Sequence, residues 1–119
     1  MNDILWLMLA LFTKHLIVDF PLQVRYQYSN KGTYGHPGGI LHAALHGMGT
    51  WICLAWYAPE AAIYLSFVDA VIHYHIDWAK MNINKRWNYT IEQPQFWAWL
   101  GADQLAHSLT YLGLVWLAV

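Results

Sequence analysis

The sequence predicts an all-α protein, a four-helix transmembrane bundle in up-down-up-down order with both termini on the same side. Hydrophobic residues make up 58% of the 119 residues and charged residues 11%, against about 25% charged residues in typical soluble domains. We expect a single integral membrane domain covering residues 1–119. A soluble four-helix bundle is the alternative. The faces that would meet water in such a bundle carry Leu, Ile, Trp and Tyr, which favours the membrane.

Four apolar segments define the predicted helices. We place the helices at about residues 3–20, 40–58, 60–80 and 94–118. The first ends before Pro21, because the residue before a proline avoids the helical conformation. The third and fourth begin near Pro59 and Pro94, since proline is favoured in the first turn of a helix. Segments of about 18 to 24 residues reach the length needed to cross a bilayer core, and the shortest is marginal.

The basic residues predict an orientation. All six Lys and Arg lie in, or at the edge of, the loops 21–39 and 81–95. The positive-inside rule therefore places these loops in the cytoplasm and both termini outside, with the lipid bilayer as a partner. The net charge of -1 gives no reason to expect nucleic acid binding. An aromatic-rich outer surface is compatible with a homo-oligomer.

Four pairs of ionisable residues interrupt the apolar segments. The pairs are the first and last residues of HLIVD, HAALH, HYHID and DQLAH. Each pair has i, i+4 spacing, which puts both side chains on one helix face. In an up-down-up-down bundle all four pairs reach the same end. The eight candidate metal ligands are His15, Asp19, His42, His46, His73, Asp77, Asp103 and His107.

These eight side chains predict a metal site. Each ionisable residue in a membrane helix costs about 2.5–3.5 kcal/mol, so we expect the eight to satisfy one another. Imidazole and carboxylate groups facing each other across a bundle core are how helical bundles bind metal ions. We expect one or two divalent ions, with zinc favoured and iron or manganese as alternatives. A proton or ion path made of the same residue types is the competing interpretation.

Further residues near the pairs are candidates for catalysis and packing. Asp69, His73 and Asp77 follow one another at four-residue steps along one helix face. Asp69 or Asp103 could accept a proton during catalysis. Lys31 and Lys80 are candidates for a phosphate clamp, with anionic-lipid contact as the alternative. We expect helix packing at three glycines, namely Gly47, Gly49 and Gly101.

The motifs also resemble a known family. The order HLIVDFPLQ, a loop lysine at Lys31, HAALH, HYHIDWAK and DQLAH resembles small bacterial and phage membrane proteins of unknown function (domain of unknown function 3307). The resemblance covers essentially the whole chain. It implies a small, multi-pass protein of the bacterial inner membrane and no particular activity. A looser likeness links the histidine pairs to membrane-bound metal-dependent hydrolases.

The leading hypothesis is a membrane-embedded metal-dependent hydrolase that acts at the cytoplasmic interface on a phosphorylated or lipid-linked substrate. A metal-bound water would attack the ester. The alternative enzyme is a non-haem di-iron membrane oxidase acting on acyl chains. The non-catalytic alternatives are a metal or proton carrier and a membrane protein that interferes with a host process.

Overall fold

The computed structural model describes residues 2–119, and this part of the chain is all-α. Its helices are α1 (Asp3–Asp19), α2 (Arg25–Tyr28), α3 (Pro37–Ala55), α4 (Pro59–Trp87) and α5 (Pro94–Ala118). Both α1 and α4 pack against α3 and α5, so the four long helices close into a ring, and α2 packs on α3. The all-α prediction is confirmed. The short helix α2 is an element that the sequence analysis did not predict.

Local chemistry explains where the helices begin and end. Helix α3 begins earlier than predicted, because the His36 ring accepts a hydrogen bond from the Gly38 amide at 3.0 Å and caps the first turn. Helix α4 continues past residue 80 to Trp87. Asn88, with φ at 54°, ends it in the left-handed conformation that terminates many helices. The extended α4 carries Lys80 as part of the helix.

The predicted transmembrane bundle is wrong. Within residues 2–119, no helix combines the length and the apolar character that crossing a membrane requires. Helix α1 has 17 residues, about 25 Å at the usual rise per residue, against a hydrocarbon core of about 30 Å. Helix α4 is longer but carries Asp69, Asp77 and Lys80 along its length. The predicted inner-membrane location, with loops 21–39 and 81–95 in the cytoplasm and the termini outside, is therefore wrong as well.

The bundle interior is apolar at one end and polar at the other. The apolar end is formed by the start of α1, the end of α3, the start of α4 and the end of α5. Its buried residues are Leu7, Met8, Leu11, Leu54, Ala62, Leu65, Tyr111, Leu114 and Val115. The other end, where α1 and α4 turn toward the loops and α5 begins, is filled by histidine, aspartate and lysine side chains.

The outward faces of the long helices are rich in large apolar side chains, as the sequence predicts. At the polar end, Leu16 is 58% exposed, Trp97 55% and Ile40 51%. The usual arrangement of a helical bundle, apolar inside and polar outside, is thus partly inverted at the polar end. Because apolar burial is small there, hydrogen bonds and ion pairs must hold that end of the helices together.

Gly49 provides a test of how closely α3 approaches α1. A Cβ at Gly49 would overlap Lys14 Cγ and lie 2.8 Å from Lys14 Cδ. We expect Gly49→Ala to lower the free energy of unfolding by about 1–3 kcal/mol, because Lys14 must leave its buried position. Gly101 is the matched control: no atom of residues 2–119 beyond its own helix surroundings lies within 4 Å of a Cβ there. The predicted packing role of Gly101 is therefore wrong.

We expect Gly101→Ala to be neutral or to stabilise the protein by up to about 1 kcal/mol, since alanine is the better helix former. Urea unfolding of both variants measures the difference. Equal effects of the two substitutions would contradict the close approach of α3 to Lys14.

Candidate metal centre

All four predicted pairs meet at the polar end of the bundle. Helices α1, α3, α4 and α5 each contribute one pair. Seven of the eight residues are at most 9% exposed, and the side chain of the eighth, Asp19, is 12% exposed. The four-residue spacing within each helix turns both members of a pair toward the bundle axis. The eight residues brought together are His15, Asp19, His42, His46, His73, Asp77, Asp103 and His107.

One group of side chains is centred on Asp19. Its Oδ1 lies 2.8 Å from His46 Nε2, 3.1 Å from His42 Nε2 and 4.0 Å from His73 Nε2. One ligand atom from each of these four residues lies within 4.8 Å of the others. In a tetrahedral zinc site with bonds of about 2 Å, neighbouring ligand atoms lie a little over 3 Å apart, so this group needs little contraction to hold an ion.

A second group is centred on Asp77. Its Oδ2 lies 3.3 Å from both His42 Nε2 and His73 Nε2, and its Oδ1 lies 3.2 Å from His107 Nε2. His73, Asp77 and His107 also offer ligand atoms within 4.8 Å of one another. Asp103 Oδ1 extends this group, at 3.4 Å from His107 Nε2. The two carboxylate oxygens of Asp77 therefore face different histidines.

Several of these short contacts are not hydrogen bonds. Within residues 2–119, buried atoms without a hydrogen-bond partner include His42 Nε2, His73 Nε2, Asp77 Oδ2 and Asp103 Oδ1. Each lies 3.1–3.4 Å from an oppositely charged or polar group, so the atoms are close but their N–H directions miss the oxygens. Buried polar atoms without partners are rare in proteins and costly. Atoms that converge without pairing have the arrangement that a cation would satisfy.

Burial and the carboxylates set the protonation of the histidines in opposite directions. Burial lowers the pKa of His46 and of His73 to about 3. Burial alone would lower the pKa of His107, but the carboxylates of Asp103 and Asp77 outweigh burial and raise this pKa to about 9. His46 and His73 are therefore neutral at pH 7 and have the free lone pair that a metal ligand needs.

The aspartates stay ionised despite their burial. Burial alone would raise the pKa of Asp19, yet contacts from His15, His42 and His46 hold it well below the usual range. The pKa of Asp77 is also held far below its usual value by contacts with His73, His107 and His42, against the effect of burial. Both carboxylates are thus charged at pH 7.

We expect the metal-free protein to lose stability as the pH falls below about 6.5, the ordinary pKa of histidine. Between that value and about 3, the unfolded chain binds protons on His46 and His73 that the folded chain does not bind. His42 and His107 have raised pKa values, so they oppose this loss near pH 6.5 and add little slope in the acidic part of the window, where both states are protonated.

The free energy of unfolding should therefore fall by on the order of 2 kcal/mol per pH unit in the acidic part of this window. Urea unfolding of chelator-treated protein at pH 7, 6 and 5 measures it. A free energy that stays constant from pH 7 to pH 5 would contradict the buried, neutral state of these two rings.

Contacts around the ligands fix the imidazole orientations. With the proton on His42 Nδ1, this nitrogen donates to Gln27 Oε1 at 3.2 Å, and Nε2 then faces the centre with a free lone pair. Lys14 Nζ lies 3.3 Å from His46 Nδ1. Burial lowers the pKa of Lys14, against the opposing effect of the nearby Asp69 carboxylate.

His15 differs from the other predicted ligands. Its Nδ1 lies 2.6 Å from the Tyr111 hydroxyl, and its Nε2 lies 3.0 Å from both Gln104 Oε1 and Asp19 Oδ2. His15 is not a member of either close group of ligand atoms among the described residues. Both of its ring nitrogens are engaged, which suits a residue that holds Asp19 in place.

Lys31 and Lys80, predicted to form a rim that binds phosphate, lie inside the polar end. Lys31 is 7% exposed, and its Nζ is 3.2 Å from Asp77 Oδ2. The Lys80 side chain is 14% exposed, and its Nζ is 3.2 Å from Asp103 Oδ2. Each ammonium group thus contacts a carboxylate of the second group. Their contact with a phosphate stays a prediction.

Asp69 lies deeper than the two ligand groups. Its Oδ2 accepts hydrogen bonds from Lys14 Nζ at 3.2 Å and from Thr50 Oγ1 at 2.5 Å. Lys14 stands between Asp69 and His46, so Asp69 contacts the ligands indirectly. Its role as a proton acceptor stays a prediction. Asp103 contacts a ligand directly, because its Oδ1 lies 3.4 Å from His107 Nε2.

The sequence analysis missed four residues of this network. Thr50 and Tyr111 each continue a four-residue step, after His46 and His107, and that spacing could have revealed them. Lys14 was counted as a basic residue at a loop edge. Gln27 contacts His42 because α2 folds against α3, which no sequence pattern indicates.

The fold and the site define a class of protein: an all-α bundle with a buried cluster of histidine, aspartate and lysine at one end. The chain belongs to the family described as "Protein of unknown function (DUF3307)", whose profile matches residues 7–119. The resemblance to this family is confirmed. No curated protein and no solved structure matches the chain, so the looser likeness to metal-dependent hydrolases gains no support.

Proposed function

We propose that the polar end of the bundle binds a divalent metal ion through Asp19, His42, His46 and His73. The observation that supports this most strongly is the convergence of their ligand atoms within 4.8 Å, while ring nitrogens of His42 and His73 lack hydrogen-bond partners in the described part of the chain. Three imidazoles and one carboxylate suit tetrahedral zinc. Iron and manganese accept the same donor atoms.

The chemistry that we assign to the polar end of the bundle is hydrolysis of a phosphate ester. A bound divalent ion would lower the pKa of a water molecule toward neutrality. The water oxygen would form a bond to phosphorus as the bond from phosphorus to the ester oxygen breaks, and Asp103 Oδ2 would accept the proton of the water. Lys80 donates a proton to the leaving alkoxide and recovers one from Asp103, whose Oδ2 lies 3.2 Å from Lys80 Nζ.

The charges near the site favour an anionic substrate. Lys31 and Lys80 already neutralise Asp77 and Asp103. A divalent ion beside them leaves the ligand groups without excess negative charge, so an approaching phosphate meets cations rather than bare carboxylates. A neutral ester would gain nothing from the two lysines.

Hydrolysis of para-nitrophenyl phosphate and bis(para-nitrophenyl) phosphate by the zinc- or manganese-loaded protein tests this function. We expect turnover that a chelator abolishes and that added metal restores. Asp77→Asn should remove turnover, because the two oxygens of Asp77 face histidines of both ligand groups. Lys80→Met should raise KM and lower kcat.

The control variant is His75→Gln. His75 lies on α4 two residues from His73, but it is exposed and contacts Tyr34. Its turnover should equal that of the parent protein. Turnover that resists the chelator, or that survives in Asp77→Asn, would refute the proposal. Metal-loaded protein that hydrolyses neither ester would refute the assigned chemistry.

A further inference from the structure

The two ligand groups differ in how many protein ligands they offer. The group centred on Asp19 has four, one oxygen and three imidazole nitrogens. Four protein ligands fill a tetrahedral coordination shell and are typical of structural zinc sites, whereas catalytic sites keep three protein ligands and an open position. An ion held by Asp19, His42, His46 and His73 would have no vacant position for water.

Once His73 is used by the first group, two ligand atoms of the second group remain, and Asp103 supplies a third beside His107. These are Asp77 Oδ1, His107 Nε2 at 3.2 Å from it, and Asp103 Oδ1 at 3.4 Å from His107 Nε2. A neutral imidazole has one lone pair, so His73 cannot serve two ions at once. Asp103 Oδ1 is buried and lacks a hydrogen-bond partner within residues 2–119, which makes it available as a ligand.

Asp77 connects the two groups. Its Oδ2 faces His42 Nε2 and His73 Nε2 of the first group at 3.3 Å each, and its Oδ1 faces His107 of the second. A carboxylate with one oxygen toward each of two positions is the arrangement that bridges the ions of two-metal hydrolytic sites, about 3.5–4 Å apart. Lys31, also at Asp77 Oδ2, would have to move slightly to make room.

We infer that the polar end holds two metal ions of unequal character. The first, bound by Asp19, His42, His46 and His73, is closed and stabilises the fold. The second, bound by Asp77, His107 and Asp103 with Asp77 as the bridge, has an open position for water and the phosphate ester. This inference rests on the proposed function and assigns its reacting water to the second ion. Asp103 then acts both as a ligand through Oδ1 and as the neighbour of Lys80 through Oδ2.

Titration of the metal-free protein with cobalt(II), followed by its visible absorption and by elemental analysis, tests the inference. We expect two equivalents per chain, with the first giving the intense absorption of a tetrahedral site. His107→Gln and Asp103→Asn should each lose the second equivalent and keep the first. His46→Gln should lose the tetrahedral absorption, and His75→Gln should bind as the parent does.

The outcomes separate the inference from the function on which it rests. One equivalent in the parent, unaffected by His107→Gln and Asp103→Asn, would overturn the second ion and leave a mononuclear site. No binding by the parent at all would overturn the proposed function itself. Circular dichroism of each variant confirms that the helices are intact, and Asp103→Asn, almost equal in size, covers the case in which His107→Gln does not fold.

Discussion

Lys14→Met is expected to lower the free energy of unfolding by about 3–5 kcal/mol, the cost of leaving one partner of a buried ion pair alone. Lys14 is 6% exposed and Asp69 1%. Their 3.2 Å contact links α1 and α4 across the centre of the ring. Without Lys14, the Asp69 carboxylate keeps the hydroxyl of Thr50 at 2.5 Å as its partner. Chemical unfolding followed by circular dichroism measures the loss.

The double variant Lys14→Met/Asp69→Leu is the control for this result. Removing both charges should recover most of the lost stability, because apolar residues of similar volume replace buried ion pairs at little cost. Metal binding should persist in the double variant, since Asp69 is not a ligand. A double variant less stable than Lys14→Met, or one that no longer binds metal, would contradict the purely structural role of this pair.

Zinc is expected to stabilise the protein strongly. Binding to the folded state alone raises the free energy of unfolding by about 2.7 kcal/mol at a free zinc concentration one hundred times Kd, and by about 4 kcal/mol at one thousand times Kd. His73→Gln should remove most of this gain, because His73 is a ligand of the group centred on Asp19. Thermal unfolding with zinc and with chelator measures the shift in Tm.

His75→Gln again provides the matched control, because His75 is exposed on the same helix. It should keep the full stabilisation by zinc. If zinc stabilises His73→Gln as much as the parent, the ion binds elsewhere, for example at the half-buried His36, and the proposed ligand set is wrong.

The sequence predicted the convergence of the pairs because helix geometry determines it. The spacing of His42 and His46 turns both rings to one face, and the alternating directions of the helices bring that face level with His73 and Asp77. Such reasoning needs no knowledge of loops. It located all eight side chains at the polar end, although it did not divide them into two groups.

The membrane prediction failed because composition does not report which residues face inward. The exposed Trp56, Trp116 and Phe67 gave an apolar average, and a lipid environment would explain such side chains. Crossing a bilayer demands length and apolarity in the same helix, and the described helices do not combine them. Helix α1 is too short, and α4 carries ionisable residues along its length. An average over the chain reveals neither feature.

The lysines were misplaced for a different reason. Position in a loop suggested that Lys31 would lie on an open rim, but the segment after α2 folds back and carries it to Asp77. Lys80 lies on the helix as predicted, but its ammonium group contacts Asp103 instead of lying on an open rim. Loop paths depend on contacts such as that of α2 with α3, which spacing along the sequence does not contain.

The metal content of protein purified without chelators tests directly whether the polar end of the bundle binds a divalent metal ion. Elemental mass spectrometry of the parent, His46→Gln and His75→Gln, each incubated with zinc and then freed of unbound ion, is sufficient. We expect at least one equivalent in the parent and in His75→Gln and a loss of it in His46→Gln. Parent protein without bound metal after this treatment would contradict the account. The polar end would then be a network of hydrogen bonds and ion pairs.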